Sequence, residues 1–296
     1  VLVAEDGHKA HSKPISRTVD KAVTLYKKYH TMELLFKNAR IHYIVEGKHK
    51  QHTVVLIHGF TESLDIWDDF SAELSVDLKV ICIDLPGHGK SACISKAHSM
   101  ELMADMVKAV LDAENVSECV MIGHSMGGYV TLAFAEKFPS MMKGFGLFHS
   151  TAFPDTPEGK ANRAKAIEAI EKDHAGFIMS FIPDLFAPAS RENLKGEIDA
   201  MVKRAESMSA EAIVASQLGM MERYDKREVL ANAACPVLFI AGKLDTRIPF
   251  EKVLEIIAIP KDATALLLHD VAHMGYLEAR DKTLFAVKCF VEGVFS

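Results

Sequence analysis

The pentapeptide Gly123-His124-Ser125-Met126-Gly127 sets a hydroxyl between two glycines, where a strand-like run (119–125) passes into a helix pattern (126–138). The glycines let the backbone turn sharply without Cβ clashes. A serine raised on such a turn stands at a helix N-terminus, whose dipole favours developing negative charge. That is the setting for an oxygen nucleophile in acyl transfer. The nucleophile needs a base, the base needs an acid to orient it, and the oxyanion needs donors. "FIAGKLDTRIP" (239–249) supplies Asp245 just past a strand end, and "LLHDVAHMGYLE" (267–278) supplies His273 in the loop after the next strand. In "LIHGF" (56–60), Phe60 follows Gly59 at another strand end, so the backbone N–H groups of Phe60 and Met126 can converge above Ser125.

Other residues compete for these roles. Asp270 lies three positions from His273 and would have to curl back to reach its ring, and Asp155 follows the strand expected at 142–150. Topology prefers Asp245 to both. His269 and His273 share the i, i+4 spacing of a zinc pair, but they fall in a strand and loop with no Glu between them, so no metal is expected. His58, His88 and His124 flank tight turns and read as structural hydrogen-bonders, and most remaining histidines as surface residues. "DLPGHGKSA" (84–92) ends like a phosphate-binding loop. Asp84 stands where that pattern needs its first glycine, and no helix pattern follows until about Ser99, so nucleotide binding is not expected.

The elements that must hold these residues follow a simple rhythm. Two alternating segments, 32–38 and 39–47, read as an antiparallel hairpin around Asn38. Continuous apolar runs at 53–60, 79–84, 119–125, 142–150, 236–242 and 264–271 read as strands buried on both faces, hence a mostly parallel sheet. Helix patterns at 66–75, 100–114, 126–138, 250–258 and 277–293 separate them, giving an α/β doubly wound core. Ser99 is a candidate cap for the second of these. Residues 151–235 show no strand signal and read as an all-helical insertion, with helices near 157–173, 175–182, 190–207 and 209–223 starting at Thr156, Ser190 and Ser209. Residues 19–30 read as a short amphipathic helix.

The chain has 296 residues, enough for one large domain with an insertion; 49% are hydrophobic and 25% charged, as in a globular protein with a sizeable core. A net charge of −6 does not favour nucleic acid or an anionic membrane as partner, and no apolar run is long enough to span a bilayer. The five cysteines are odd in number and scattered, which favours a reducing compartment and a cytoplasmic protein.

On the motifs around Gly59, Ser125, Asp245 and His273, the chain resembles the α/β-hydrolase superfamily from about Met32 to Phe295. The order Ser125, Asp245, His273 is the family's order. "DLPGHGKS" resembles the glycine loop that the family carries beside its active site, and 151–235 resembles its helical cap. One departure is Ala272 before His273, where the family usually has glycine. The resemblance implies a core of 32–150 and 236–296, a cap of 151–235 and an N-terminal extension, 1–31, with no assigned role. It implies a serine hydrolase without cofactor, acting on a small apolar or aromatic ester, lactone or thioester. Its nearest branches are carboxylesterases and 3-oxoadipate enol-lactonases. Serine at position 125 argues against the dehalogenase and epoxide hydrolase branches, which place aspartate there. The alternatives are a C–C-bond hydrolase of aromatic degradation and a low-turnover receptor on the same scaffold. Within the cap, Phe177, Phe181, Phe186, Met208, Met220 and Met221 are expected to pack between helices, with some lining the pocket roof.

Overall fold

A computed structural model describes residues 2–5 and 30–296 of the chain. Its strands are β1 (Leu2–Glu5), β2 (His30–Phe36), β3 (Ala39–Glu46), β4 (Thr53–Ile57), β5 (Lys79–Ile83), β6 (Cys119–His124), β7 (Met142–Phe148), β8 (Val237–Gly242) and β9 (Ala263–Leu268). They form one sheet in the order β1-β9-β8-β7-β6-β4-β5-β3-β2. β2 and β3 run antiparallel to their neighbours, and every other pairing is parallel. All residues of β4, β5, β6 and β8 are buried, which is why those strands read as continuous rather than alternating apolar runs. The edge hairpin turns through Lys37 and Asn38, both at positive φ (48° and 65°), the backbone a tight two-residue hairpin loop needs.

Helices cover the sheet where the sequence pattern puts them. Ser99 caps Met100–Ala113 by accepting a hydrogen bond from the Leu102 N–H. Between β7 and β8 lie Pro157–Lys172, His174–Phe181, Lys195–Glu206, Ala210–Met221 and Arg227–Ala231. Thr156 and Ser209 cap the first and fourth of these. Ser190 does not cap the third: its own N–H bonds back to Ala187 in a turn, and the helix starts only after Leu194, without a side-chain cap.

The sequence pattern did not anticipate β1, which pairs in parallel with β9 at the sheet edge from Leu2↔Thr264 to Glu5↔Leu267. The helix expected over 19–30 lies outside the described residues, except for His30, which opens β2. No helix among the described residues is long and apolar enough to cross a membrane.

Candidate active site

β6 delivers Ser125 to the carboxyl edge of the sheet, and the helix Met126–Lys137 starts at the next residue. Ser125 sits at φ 49°, ψ −113°, a conformation that costs a non-glycine residue about 1–3 kcal/mol. Its backbone is tied on both sides: its N–H donates to Phe148 O (2.9 Å), and Ser150 Oγ donates to its carbonyl (2.7 Å). The flanking glycines are sterically required. A Cβ on Gly123 would lie 2.2 Å from Gly127 O, and one on Gly127 would lie 2.3 Å from Ile57 O.

Asp245 and His273 follow β8 and β9 and meet there: His273 Nδ1 donates to Asp245 Oδ2 at 2.8 Å. The other carboxylate oxygen accepts from the backbone N–H groups of Arg247 (2.8 Å) and Ile248 (2.9 Å). Burial alone would raise the Asp245 pKa, but the His273 charge and the hydrogen bonds from His149 and His273 hold it well below the usual carboxylate range. The rival acids are engaged elsewhere. Asp155 Oδ1 pairs with Arg223 at 2.8 Å and its other oxygen with Arg163, while Asp270 is exposed. His269 is exposed beside Lys243, so the i, i+4 pair with His273 does not form a site.

The backbone N–H groups of Phe60 and Met126 take no part in the hydrogen bonds of the described residues, and Phe60, Ser125 and His273 line one cavity of about 340 Å³. Its wall is apolar at Phe177, Phe181, Leu185 and Met220 and polar at Asp155, Arg163, Gln217 and Arg247. Phe186 and Met208 do not line it and are buried, and Met220 is largely buried too. The cap also reaches the histidine loop directly, since the His273 N–H donates to Leu185 O at 2.9 Å. A second cavity, about 390 Å³ between Pro139, Met142 and Cys235, contains none of these groups.

Two residues of the site were not singled out in the sequence. His149, fully buried at the end of β7, donates from Nδ1 to the same Asp245 oxygen at 3.1 Å. Its position past a strand end on the same sheet edge was the available signal. Burial lowers its pKa to about 4, so it is neutral at pH 7. His149, Asp245 and His273 together form a group with metal-capable donors. However, two ligands of a tetrahedral zinc stand roughly 3.3 Å apart, and here both rings lie closer to Asp245 Oδ2, at hydrogen-bond lengths. The second residue is Glu62, three positions after Gly59. It accepts from the Gly59 N–H, from His124 Nδ1 (3.0 Å) and from the Tyr276 hydroxyl (3.1 Å). His124 in turn reaches the His273 carbonyl through Nε2 at 3.0 Å.

His58, His88 and His124 are buried hydrogen-bonders, as expected. Three of the other histidines correct the expectation of surface positions: His42, His98 and His149 are all buried. His42 is inside because its Nδ1 lies 2.6 Å from Asp84, which also accepts from the Leu64 and Lys90 N–H groups. Within the loop "DLPGHGKSA" the Lys90 N–H therefore turns to the loop's own carboxylate, and Gly89, whose Cβ would lie 2.3 Å from that carboxylate, needs no phosphate to explain it.

Residues 52–279 match the alpha/beta hydrolase fold family, and the chain belongs to it. It is 29% identical over 248 residues to a pimeloyl-[acyl-carrier protein] methyl ester esterase of Neisseria meningitidis serogroup C, covering 81% of this chain and 94% of the relative. Among solved structures, a thermophilic esterase from Thermogutta terrifontis superposes with a TM-score of 0.83 at 28% identity, covering 90% of this chain and 99% of that one. The enol-lactonase from Burkholderia xenovorans LB400 shares the fold with a TM-score of 0.82 at 20% identity, covering 88% of this chain and 100% of that one.

Proposed function

We propose that the chain is a serine hydrolase that cleaves a small ester, lactone or thioester through an acyl-enzyme on Ser125. The observation that carries this reading is the strained Ser125 at a strand–helix junction, sharing a cavity with a histidine whose Nδ1 is held by a buried aspartate. Ser125 Oγ attacks the carbonyl carbon while His273 Nε2 takes its proton, and Asp245 stabilises the imidazolium. The Phe60 and Met126 N–H groups receive the oxyanion, His273 returns the proton to the leaving oxygen or sulfur, and water repeats the cycle on the acyl-enzyme. The hydrolase core is 32–150 with 236–296, extended at one sheet edge by β1, and 151–235 forms its cap. Two relatives near 30% identity that are named as esterases support the ester chemistry. The five cysteines are free thiols, which supports a reducing, cytoplasmic setting.

The test is turnover of p-nitrophenyl acetate and butyrate together with labelling by a fluorophosphonate. Labelling and turnover that both vanish in Ser125→Ala are expected. Labelling that survives the substitution overturns the assignment.

A further inference from the structure

The cavity that holds Ser125 and His273 carries more positive charge than its own acids balance. Arg247 lines it and stacks on Phe181, its guanidinium carbon 4.9 Å from the ring centroid. No ion pair to Arg247 occurs among the described residues. Its backbone is anchored in the site, since its N–H donates to Asp245 Oδ1 at 2.8 Å. Arg163 lines the same cavity from the cap helix Pro157–Lys172 and bonds Gln217 Oε1 at 2.9 Å. Arg163 shares one acid, Asp155, with Arg223, so two guanidiniums face a single carboxylate and one positive charge is left over. The other acid on the wall, Glu62, is turned away: its oxygens accept from the Gly59 N–H, His124 and Tyr276.

Arg247 is exposed at the edge of the cavity, and a guanidinium without an acid there is matched by a planar anion that accepts two parallel N–H groups, such as a carboxylate. The same wall offers Phe177, Leu185 and Met220, which suit a short methylene chain. At about 340 Å³ the cavity has room for a chain of that size.

We infer that the substrate is an ester with a carboxylate on the far end of its acyl group, a half-ester or half-thioester of a short dicarboxylic acid, and that Arg247, assisted by Arg163, binds that carboxylate. This inference rests on the ester-hydrolase reading and adds a substrate class to it. Hydrolysis of such an ester releases a dicarboxylate and an alcohol or thiol.

The experiment compares kcat/KM for mono-p-nitrophenyl glutarate with that for p-nitrophenyl pentanoate, which has the same acyl length but no charge. The unsubstituted protein is expected to prefer the half-ester roughly tenfold to a hundredfold, the range of a charge-assisted hydrogen bond. Arg247→Gln keeps the backbone donor to Asp245 and should bring the ratio close to one, while Arg247→Lys should retain part of it. Equal or better turnover of the neutral ester by the unsubstituted protein overturns the inference. So does a preference that Arg247→Gln and Arg163→Gln both leave intact. A carboxylate moved to the leaving group, in the butyrate ester of 4-hydroxybenzoate, should gain less than one on the acyl chain; an equal or larger gain overturns the placement. Calorimetry of monomethyl glutarate with Ser125→Ala reads the site without turnover. Binding that weakens at least tenfold in the double variant with Arg247→Gln supports it, and no binding overturns it. Binding with no turnover of any ester by the unsubstituted protein would instead strike the hydrolase reading alone.

Discussion

His149 donates a hydrogen bond to the oxygen of Asp245 that also holds His273, so one buried carboxylate orients two imidazole rings. Each donor to that oxygen takes some of the negative charge that would otherwise stabilise a protonated His273. His149 Nε2 has no partner among the described residues, and its ring packs where a Cβ on Gly275 would lie 2.3 Å away. The ring is therefore fixed by packing and by Asp245. His149→Leu leaves the Asp245 charge undivided for the imidazolium and should raise kcat by up to about fivefold, the worth of a hydrogen bond of roughly 1 kcal/mol. His149→Asn returns an N–H to about the same place and should restore the original kcat. A kcat unmoved by Leu would make His149 a packing residue only.

Much of this arrangement was legible in the chain because it is built from local rules. Buried parallel strands are continuous apolar runs, Ser125 is framed by glycines that only a tight turn needs, and Asp245 and His273 each follow a strand end. What was missed depends on partners distant in sequence. Nothing near His149 points to an acid 96 positions later, and Glu62 meets Tyr276 across 214 positions. Hydropathy places most histidines outside, yet His42 and His98 are buried, where Asp84 and the turn at 94–98 supply their hydrogen bonds. Ser190 has the right type for a cap, but the turn that uses its backbone cannot be read from composition. β1 is four residues long, too short for any period to show.

Asp245→Asn should lower kcat by about 10⁴, because the amide presents the wrong partner to His273 Nδ1. Asp155→Asn should leave kcat for a neutral ester within about tenfold, since Asp155 pairs with Arg163 and Arg223 and does not touch the His273 ring. Steady-state kinetics of the two variants decide the matter, and a larger loss from Asp155→Asn would exchange their roles.

The Glu62–His124 pair lies beneath both the Gly59 turn and His273, with each side chain almost wholly buried. Burial opposes charge on both groups, but their mutual attraction lowers the Glu62 pKa and raises that of His124. The Glu62 contribution to stability is present above its ordinary value of 4.5 and is lost as pH falls through its lower folded value. The His124 contribution is complete below 6.5 and is lost as pH rises through its raised folded value. Together they should stabilise most between those two limits. Thermal midpoints from pH 4 to 9 should show a shoulder there that Glu62→Gln removes. That substitution should also cost about 3–5 kcal/mol in urea unfolding near pH 6, because it strands a buried imidazolium. A curve of the same shape with and without Glu62 would mean that the pair is not ionised.

The cap should behave as a fixed roof, because backbone contacts pin it to the core. The His98 N–H donates to Ala215 O in the cap helix Ala210–Met221 at 2.9 Å. One turn on, a Cβ at Gly219 would lie 1.7 Å from His98 O, so only glycine lets the helix sit that close. Gly87, at φ 76°, approaches the same helix, and its Cβ would stand 2.6 Å from that of Ala212. Leu185 O holds the His273 N–H from the other side of the cap. A roof held this way encloses small substrates and excludes water, which strengthens the field at the oxyanion. It cannot swing open on a lipid surface without breaking those contacts. Turnover should therefore peak at short acyl chains, fall by roughly tenfold once a chain overfills the cavity, and show no jump when the substrate forms an emulsion. Gly219→Ala should force the helix away from His98, cost about 1–3 kcal/mol of stability and flatten the chain-length profile. The measurement is kcat/KM from acetate to dodecanoate esters, in solution and emulsified, for both proteins. A maximum at the longest chains with a jump at the emulsion threshold would show a cap that opens, and the contacts at Gly87 and Gly219 would then be too weak to hold it.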